Sequence, residues 1–392
     1  MPYYRRNVFV LSTTVFLASL SWNQVMPFLA FFLRDLGAPK AELPYWIGFA
    51  FAAHSLAAML VQPFWGKLGD RYGQKPMVVR AGACLTGIYF GMSFCKRPWQ
   101  LVIFRLLNGA LTGFIPSSFA LIATNTPQEL APRSVATAQT ASAAGQIVGP
   151  ALGGLLAALV GYRGSMRVAG TAVLISTFLV WRLVSAPNKA HETEGTSLVQ
   201  DIAASARSPV LSAIMLTIML QTAFFVAISS VLALHLAAMN SGVPTWLTGV
   251  VFALPAVAFV LSARSWAGLG ERWGFEKVIC TAFVGGAVCG AGLTVAHNVW
   301  LFGALFLAAG FFLAAVPPAL ASIISNRVDE SFHGRAYGLQ FSSAMIGAFL
   351  APPAATCIGS VLGIPAVFVF AGAVLLAGLA VFRSLANRWE QT

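Results

Sequence analysis

The chain has 392 residues and a net charge of +12; 58% of its residues are hydrophobic, whereas 9% are charged. Soluble globular domains carry about 25% charged residues. This composition, with a mean hydropathy of +0.78, therefore excludes a conventional soluble enzyme and a disordered chain. A polytopic helical membrane protein remains, because backbone groups that face lipid must be hydrogen-bonded within their own helix.

Charge-free runs divide the chain into twelve predicted spans, each about 20 residues long as a bilayer crossing requires. The first six are predicted at about residues 7–33, 43–66, 80–96, 99–123, 134–162 and 167–182. The last six lie in three longer apolar runs, 208–263, 278–326 and 336–382, each divided by a turn signal. The polar segment 186–207 is interpreted as a cytoplasmic linker between two halves, residues 1–185 and 208–392.

Basic residues define the predicted orientation. Twelve spans place both termini on one side of the membrane, and most of the 24 Lys and Arg residues fall on that side. Cytoplasmic loops carry an excess of Lys and Arg, so both termini are predicted to be cytoplasmic. The positive charge therefore reflects topology, and a nucleic-acid partner is not expected.

The sequence contains an internal repeat. The string Trp65-Gly-Lys-Leu-Gly-Asp-Arg-Tyr-Gly73 recurs 201 residues later as Trp266-Ala-Gly-Leu-Gly-Glu-Arg-Trp-Gly274. The same offset pairs Gly109 with Gly310, Pro116 with Pro317, Asn125 with Asn326, Glu129 with Glu330 and Gln139 with Gln340. Because six spans separate the copies, the halves have the same membrane orientation. Parallel halves of this kind are a transporter architecture, in which the substrate binds between them near the midplane.

The first copy of the string lies in the short loop between predicted spans two and three. Gly66 and Gly73 permit a tight reversal, and Asp70 can accept hydrogen bonds from a helix N-terminus. Arg71 and Lys75 offer further charge contacts, although a solvated charged turn would use the same residues. The loop resembles the signature loop of the major facilitator superfamily (MFS). This resemblance implies an all-α membrane protein with twelve transmembrane helices in two pseudo-symmetric six-helix halves.

Two further strings resemble motifs of the superfamily. Arg105-Leu-Leu-Asn-Gly109-Ala-Leu-Thr-Gly113 is similar to its intramembrane arginine motif, and a charge at that depth usually faces a cavity or a partner. A string in span five is similar to the motif of the drug:proton antiporter branch and contains Gly145, Gly149, Pro150, Gly153 and Gly154. Its spacing allows close helix packing, with or without a gating role. Val25-Met-Pro27 and the segment 120–124 are similar to bacterial multidrug exporters of this branch, which implies the bacterial cytoplasmic (inner) membrane.

By this resemblance, spans one, four, seven and ten line a central cavity. The candidates for substrate contact are Trp22, Asn23, Gln24, Arg105, Asn108, Gln221, Phe224 and Phe225. Aromatic faces with a few amides and one guanidinium suit amphipathic organic molecules. An amide in lipid is costly unless it is hydrogen-bonded, so the amides are the better candidates. Each phenylalanine has lipid contact or core packing as its alternative.

The acidic residues fall outside the predicted spans. Many proton antiporters of this type carry a carboxylate within the membrane, and this chain departs from that pattern. The candidates for protonation are Asp35, His54 and His235, since histidine titrates near neutral pH; a buried structural histidine is the alternative. Arg105 has no acidic neighbour in the sequence, which favours neutral or anionic ligands.

We expect the repeated loop to act as a cytoplasmic latch. Asp70 would lie near the start of span eleven at Arg335, and Glu271 of the second copy would lie near Arg133 in span five. The remaining latch residues are Gly66, Arg71, Gly73, Lys75 and Arg272. Opening toward the cytoplasm would break these contacts, so each loop would stabilise the outward-facing state.

The predicted function is proton-coupled efflux of small amphipathic organic compounds by alternating access, carried out by a monomer in the lipid bilayer. The alternative is an MFS transporter of one defined metabolite, such as a siderophore, a sugar or an amino acid derivative, in either direction. A receptor would not need two similar halves. No enzyme is expected, because the sequence lacks a phosphate loop and a nucleophile elbow. The His and Cys residues lack metal-ligand spacing, so neither a metal nor a cofactor is predicted.

Overall fold

The computed structural model describes residues 3–127, 129–186, 208–239, 243–328 and 333–389, and in these ranges the chain is helical without strands. The α-helices are α1 Tyr3–Val25, α2 Leu29–Asp35, α3 Leu43–Tyr72, α4 Gln74–Ser93, α5 Pro98–Leu111, α6 Phe114–Asn125, α7 Ala131–Leu183, α8 Pro209–Met239, α9 Thr245–Trp273, α10 Phe275–Gly292, α11 Val299–Leu313, α12 Val316–Arg327, α13 His333–Leu362 and α14 Ile364–Trp389. Short 3-10 helices occur at Met26–Phe28 and Leu293–Val295. The predicted linker, apart from its first residue, lies outside the described residues.

The helices account for the predicted number of spans. Ten helical segments of the described residues are long and apolar enough to cross a membrane. One of them, Arg133–Leu183, has 51 residues, which at 1.5 Å per residue is about 76 Å of helix and sufficient for two crossings. It is broken at Gly161, whose φ of 71° and ψ of 171° are not helical. Helix α4, with 20 residues, adds a further span. The twelve predicted transmembrane helices are confirmed.

The helix that contains the third span begins at Gln74, six residues before Arg80, which bounds the predicted span. Arg80 is expected to bound the span because a charge in lipid is costly. In the structure the Cζ atom of Arg80 lies 3.4 Å from the centroid of the Trp65 ring. An aromatic face stabilises a cation placed over it, so the helix continues through this charged residue.

Packing divides the chain into two compact units. Unit 1 comprises Met1–Trp46, Leu56–Gly195 and Pro244–Ala253, and unit 2 comprises Ile47–Ser55, Thr196–Val243 and Leu254–Thr392. Unit 1 therefore contains most of the first six spans together with the beginning of α9. Unit 2 contains most of the last six spans together with a short stretch of α3.

A hydrophobic core of unit 1 lies between α1, α4, α6 and α7. Its buried members are Val10, Leu11, Ala18, Val78, Ala81, Phe114, Leu121, Ile122, Ala138, Val180 and Val184. Lipid tails are as apolar as these side chains, so close van der Waals contact stabilises such a core more than removal from water does. Small residues at helix contacts consequently matter for this fold.

The repeat is also visible in the helix ends. At the offset of 201 residues, α3 to α6 and α9 to α12 begin and end within two residues of each other. Gly73 and Gly274 follow the first helix of each copy and have φ values of 92° and 90°. L side chains avoid this backbone conformation, which explains why glycine occurs at both positions.

One hydrogen bond is repeated as well. The indole Nε1 of Trp65 donates to the carbonyl oxygen of Ala110 at 2.7 Å, and Nε1 of Trp266 donates to that of Phe311, also at 2.7 Å. Each bond joins the end of the first helix in a copy to the end of the third. The two copies therefore share a backbone framework as well as a motif.

Candidate functional site

Arg105 is among the largest fully buried side chains of the described residues. It lies on α5, is 2% exposed, and its Cζ atom is 4.8 Å from the ring centroid of Trp22 on α1. A desolvated cation over an indole face gains about 2 kcal/mol. Tyr89 on α4 is also fully buried and lies near Arg105. Three helices thus meet around one buried positive charge.

Asn108 lies one turn after Arg105 on the same helix. It is 1% exposed, and its Oδ1 and Nδ2 atoms have no hydrogen-bond partner among the described residues. A buried polar group without a partner costs about 1–3 kcal/mol, so this amide is a candidate for a hydrogen bond to a ligand. Helix α5 ends nearby, because Gly113 has a φ of 125°. We call Trp22, Tyr89, Arg105 and Asn108 the arginine site.

Two of the three predicted residues on α1 donate hydrogen bonds to backbone carbonyl groups. Gln24 is fully buried, and its Nε2 atom donates to the carbonyl oxygen of Ser165 at 2.9 Å, which fastens α1 to α7. Asn23 is half-buried, and its Nδ2 atom donates to the carbonyl oxygen of Ser19 at 2.8 Å. Of this trio, Trp22 is the residue whose ring lies beside Arg105.

The small-residue string of α7 lies against α1 along one face, with Gly145, Gly149 and Gly153 one turn apart. A Cβ atom added to Gly145 would lie 2.6 Å from the carbonyl oxygen of Phe16, and one added to Gly149 would lie 2.8 Å from the Cβ atom of Asn23. These distances leave no room for a side chain. Glycine is therefore required for α1 and α7 to approach this closely.

A second face of the same string contacts the beginning of α9, which belongs to unit 1. A Cβ atom added to Gly154 would lie 2.6 Å from the carbonyl oxygen of Thr245, and Gly249 approaches the carbonyl oxygen of Pro150 closely. The Thr245 hydroxyl also donates to the carbonyl oxygen of Gly154 at 3.4 Å. The string resembling the antiporter motif thus contacts helices on two sides.

In unit 2 the predicted phenylalanines belong to an aromatic cluster. The ring of Phe224 lies 5.4 Å from that of Phe225, and the ring of Phe225 lies 6.3 Å from that of Phe306. The whole aromatic cluster is Phe224, Phe225, His235, Phe302, Phe306 and Phe368. Gln221 has another role, because its Nε2 atom donates to the carbonyl oxygen of Leu313 at the end of α11 at 2.9 Å.

The three candidates for protonation have different surroundings. Asp35 is exposed at the end of α2, and His54 is half-buried in α3. The ring of His235 lies 4.9 Å from that of Phe368 and 5.4 Å from that of Phe302. Its Nε2 atom is buried and has no hydrogen-bond partner in the described part of the chain. His235 therefore combines burial with an unused polar atom.

A family model described as the Major Facilitator Superfamily matches residues 11–272 and 247–391. The chain belongs to this superfamily. It is 28% identical to the multidrug resistance protein MdtG of Proteus mirabilis over 382 residues, which cover 96% of this chain and 94% of the relative. It is 29% identical to the protein of the same name from Citrobacter koseri over 393 residues, which cover 99% of this chain and 97% of the relative.

Crystal structures of transporters have the same fold as this MFS chain. A bacterial homologue of the human lysosomal transporter Spinster, inward-facing and unoccupied, gives a TM-score of 0.82 at 11% identity and covers 99% of this chain and 98% of its own. The human organic anion transporter MFSD10 gives a TM-score of 0.71 at 18% identity, with coverage of 97% and 100%. The chain is therefore a multi-pass membrane protein with the predicted MFS fold.

The MFS signature loop connects α3 to α4. Gly66 and Arg71 are exposed, and the Cζ atom of Arg71 lies 5.4 Å from the Tyr72 ring centroid, whereas Lys75 is half-buried. The side chains of Asp70 and Arg335, the first predicted latch pair, lie outside the described residues. The latch therefore stays a prediction for this copy.

The second copy of the loop contains an ion pair that the sequence did not reveal. Glu271 and Arg272, the predicted latch residues of this MFS loop, are exposed at the end of α9. Glu276 in the first turn of α10 lies 3.6 Å from Arg327 at the end of α12. Partly exposed pairs of this kind contribute about 1 kcal/mol or less, so the pair orients the loop more than it stabilises the unit.

Proposed function

We propose that the protein exports small amphipathic organic compounds across the bacterial cytoplasmic membrane as a secondary active transporter. Full-length similarity to proteins named for multidrug resistance supports this proposal. The observation that carries it is the arginine site, since a buried charge within a membrane helix is costly and typically marks a substrate or ion pathway. The functional unit is a monomer that works by alternating access, with both termini in the cytoplasm.

The arginine site offers two kinds of contact to a substrate. The half-buried indole of Trp22 supplies an aromatic face beside a positive charge, and Asn108 supplies an amide with both polar atoms unused. A neutral or anionic molecule with an aromatic part would satisfy both. A hydrogen bond to the Asn108 amide would recover part of the desolvation cost of that group.

Coupling to protons is proposed to act through His235. An imidazolium in the aromatic cluster loses hydration, and cation–π contact with Phe302 and Phe368 offsets part of that loss. Protonation therefore changes how favourably the cluster packs. A change of this kind shifts the balance between two conformations if they surround the imidazole differently. Asp35 and His54 are the second candidates for this role.

The signature loops are proposed to stabilise the outward-facing state. Asp70 would contact the start of α13 near Arg335, and Glu271 would contact the start of α7 near Arg133. An Asp70→Asn variant is then expected to expose the arginine site more often to the cytoplasm. Labelling of Asn108→Cys by a membrane-impermeant thiol reagent in everted vesicles measures this, and equal labelling with and without Asp70→Asn would reject the latch.

Transport by everted membrane vesicles tests the proposed function. Energised vesicles that contain the protein are expected to accumulate fluorescent amphipathic dyes, and collapse of the pH gradient should stop the accumulation. If no dye of a chemically broad panel moves while one metabolite saturates at low concentration, multidrug efflux is rejected. If accumulation continues without a pH gradient, proton coupling is rejected. Loss of coupling in His235→Gln but not in Asp35→Asn would assign the proton to the aromatic cluster.

A further inference from the structure

A cavity of about 670 Å³ lies between the first turns of α1 and the first turns of α7, both in unit 1. We call it the α1–α7 groove. One wall carries Arg5, Phe9, Ser12 and Phe16, and the other carries Arg133, Thr137 and Ala141. Residues three or four apart share a face of a helix, so each wall is a continuous stripe.

The groove is a wedge that narrows along the two helices. At its narrow end the hydroxyls of Ser19 and Ser142 are hydrogen-bonded at 2.7 Å, and Gly145 brings the helices together. At the wide end α1 is tied instead to the far end of α7. The Asn7 amide donates to the carbonyl oxygen of Ser185 at 2.7 Å and accepts from its backbone N–H at 3.1 Å. This attachment is why α1 diverges from the start of α7.

The chemistry of the wedge changes from its mouth to its narrow end. Arg5 and Arg133 are exposed at the mouth, and none of the described residues that line the groove is acidic. Farther in, the hydroxyl of Ser12 is buried and has no hydrogen-bond partner among the described residues. Phe9 is 70% exposed, so its ring is uncovered at the groove. Two cations, an unused hydroxyl and an uncovered aromatic ring therefore surround one space.

We propose that the α1–α7 groove binds a soluble amphipathic anion. The carboxylate, sulfonate or phosphate group lies between Arg5 and Arg133, and the apolar body lies against Phe9 and Phe16. The volume falls within the range of about 300–1,000 Å³ typical of small-molecule sites, and the charge is complementary. The inference names the class of substrate that the proposed exporter takes up at this end of α1. It rests on the proposed function only for the direction of transport.

Two probes that share one aromatic scaffold test the proposal. 8-Anilino-1-naphthalenesulfonate carries a sulfonate, and N-phenyl-1-naphthylamine lacks it. Saturable binding of each is measured by fluorescence titration of the full chain in phosphatidylcholine nanodiscs, with empty discs subtracted. Arg5→Gln and Arg133→Gln are each expected to weaken binding of the sulfonate about threefold to tenfold, because a charge-assisted contact is lost. Binding of the neutral probe should change less than about twofold.

Matched variants make the outcome decisive. Arg264→Gln with Arg383→Gln removes two exposed arginines outside the groove and should leave both affinities unchanged. Thr137→Trp fills the groove without removing a charge and should also weaken binding of the sulfonate, which covers the case in which an arginine variant fails to fold. The proposal is overturned if the arginine variants of the groove lose affinity equally for both probes. It is also overturned if the control arginine variants lose as much affinity for the sulfonate as the groove variants do.

A final measurement distinguishes a soluble anion from an anionic lipid as the occupant of the groove. If discs with phosphatidylglycerol abolish sulfonate binding at constant probe concentration, an anionic lipid occupies the groove and the proposal is wrong. Binding is measured without a gradient, so a protein that binds the sulfonate but moves no dye would reject efflux and leave this site intact. A protein that moves neutral dyes but shows no preference for the sulfonate would reject this site and leave the efflux function intact.

Discussion

The two copies of the repeat have the same framework and different interiors. Both end their first helix at a glycine with φ near 90°, and both join that helix to the third by an indole–carbonyl hydrogen bond of 2.7 Å. The polar residues of the arginine site are replaced at the same offset, Tyr89 by Gly290, Arg105 by Phe306 and Asn108 by Ala309. The first copy thus surrounds a cation where the second surrounds phenyl rings.

The replacements compensate for one another. A Cβ atom on Gly290 would lie 2.8 Å from the ring of Phe224, so the aromatic cluster uses space that a tyrosine takes up in the first copy. Close packing of interiors makes such coupled changes necessary. The turns and the indole hydrogen bonds are shared by the two copies and therefore specify the fold. The interior side chains differ between the copies without changing it. The buried polar residues of the arginine site therefore lie in unit 1, and the aromatic cluster lies in unit 2.

The largest expected effect comes from removing the buried charge of the first copy. Arg105→Met should lower the initial rate of dye transport at least about 100-fold, or about 2.7 kcal/mol, because it removes the charge on which the site is built. Phe306→Leu at the matching position should lower it less than about threefold. Rates in vesicles, normalised to folded protein, measure both. Similar losses in the two variants would contradict the division of roles.

The close contact between α1 and α7 gives the next effect. Gly153→Ala should lower the free energy of unfolding by about 1–3 kcal/mol, because an added Cβ atom has no space beside α1. The matching residue of the second half is Ala354, and Ala354→Gly should cost about 1 kcal/mol or less. Thermal unfolding in detergent compares them. A fully stable Gly153→Ala protein would show that the close approach is not needed.

The indole bonds should be equivalent. Trp65→Phe and Trp266→Phe each remove one N–H donor and should destabilise by about 1 kcal/mol. Trp65→Leu should cost more than Trp266→Leu, because Arg80 lies over the first ring while Thr281 occupies the matching position. A double-mutant cycle with Arg80→Leu measures that difference. Zero coupling would mean that the cation contributes nothing to stability there.

The smallest effect concerns the loop after α4, where Cys95 matches Ala296 of the second copy. Burial raises the pKa of the Cys95 thiol to about 11, although Arg163 lowers it in part. The thiolate, which is the reactive form, then makes up about one in a thousand of these thiol groups at pH 8. Maleimide labelling of a protein with Cys95 as its single cysteine should be slow and rise about tenfold per pH unit from 7 to 10. Fast labelling before unfolding would contradict this burial.

Much of the fold could be predicted because lipid imposes simple rules. The absence of charge located the spans, and the repeated string around Asp70 and Glu271 indicated two related halves. The sequence did not reveal that the helix of the third span starts before Arg80, because Arg80 is stabilised by the ring of Trp65, a contact between residues whose separation gives no periodic signal. A charge in a sequence is easily counted, but its tertiary partner is not.

The sequence predicted the kind of residue that forms the arginine site better than it predicted which residues belong to it. Arg105 and Asn108 stand out as polar residues in an apolar span, and they do lie together. Gln24 stands out for the same reason, yet its Nε2 atom donates to the carbonyl oxygen of Ser165, because a buried amide can bond to a backbone group as well as to a ligand. Tyr89 was missed since a single tyrosine in an apolar span carries no motif.

The bonds between Asn7 and Ser185 have a consequence for biosynthesis. They join residues 178 positions apart, so they form only after the sixth span has left the ribosome. Until then the first helix stays in the bilayer without its final partner, and the wide end of the α1–α7 groove has no defined width. These two reciprocal hydrogen bonds therefore require that all of the first six spans have been synthesised.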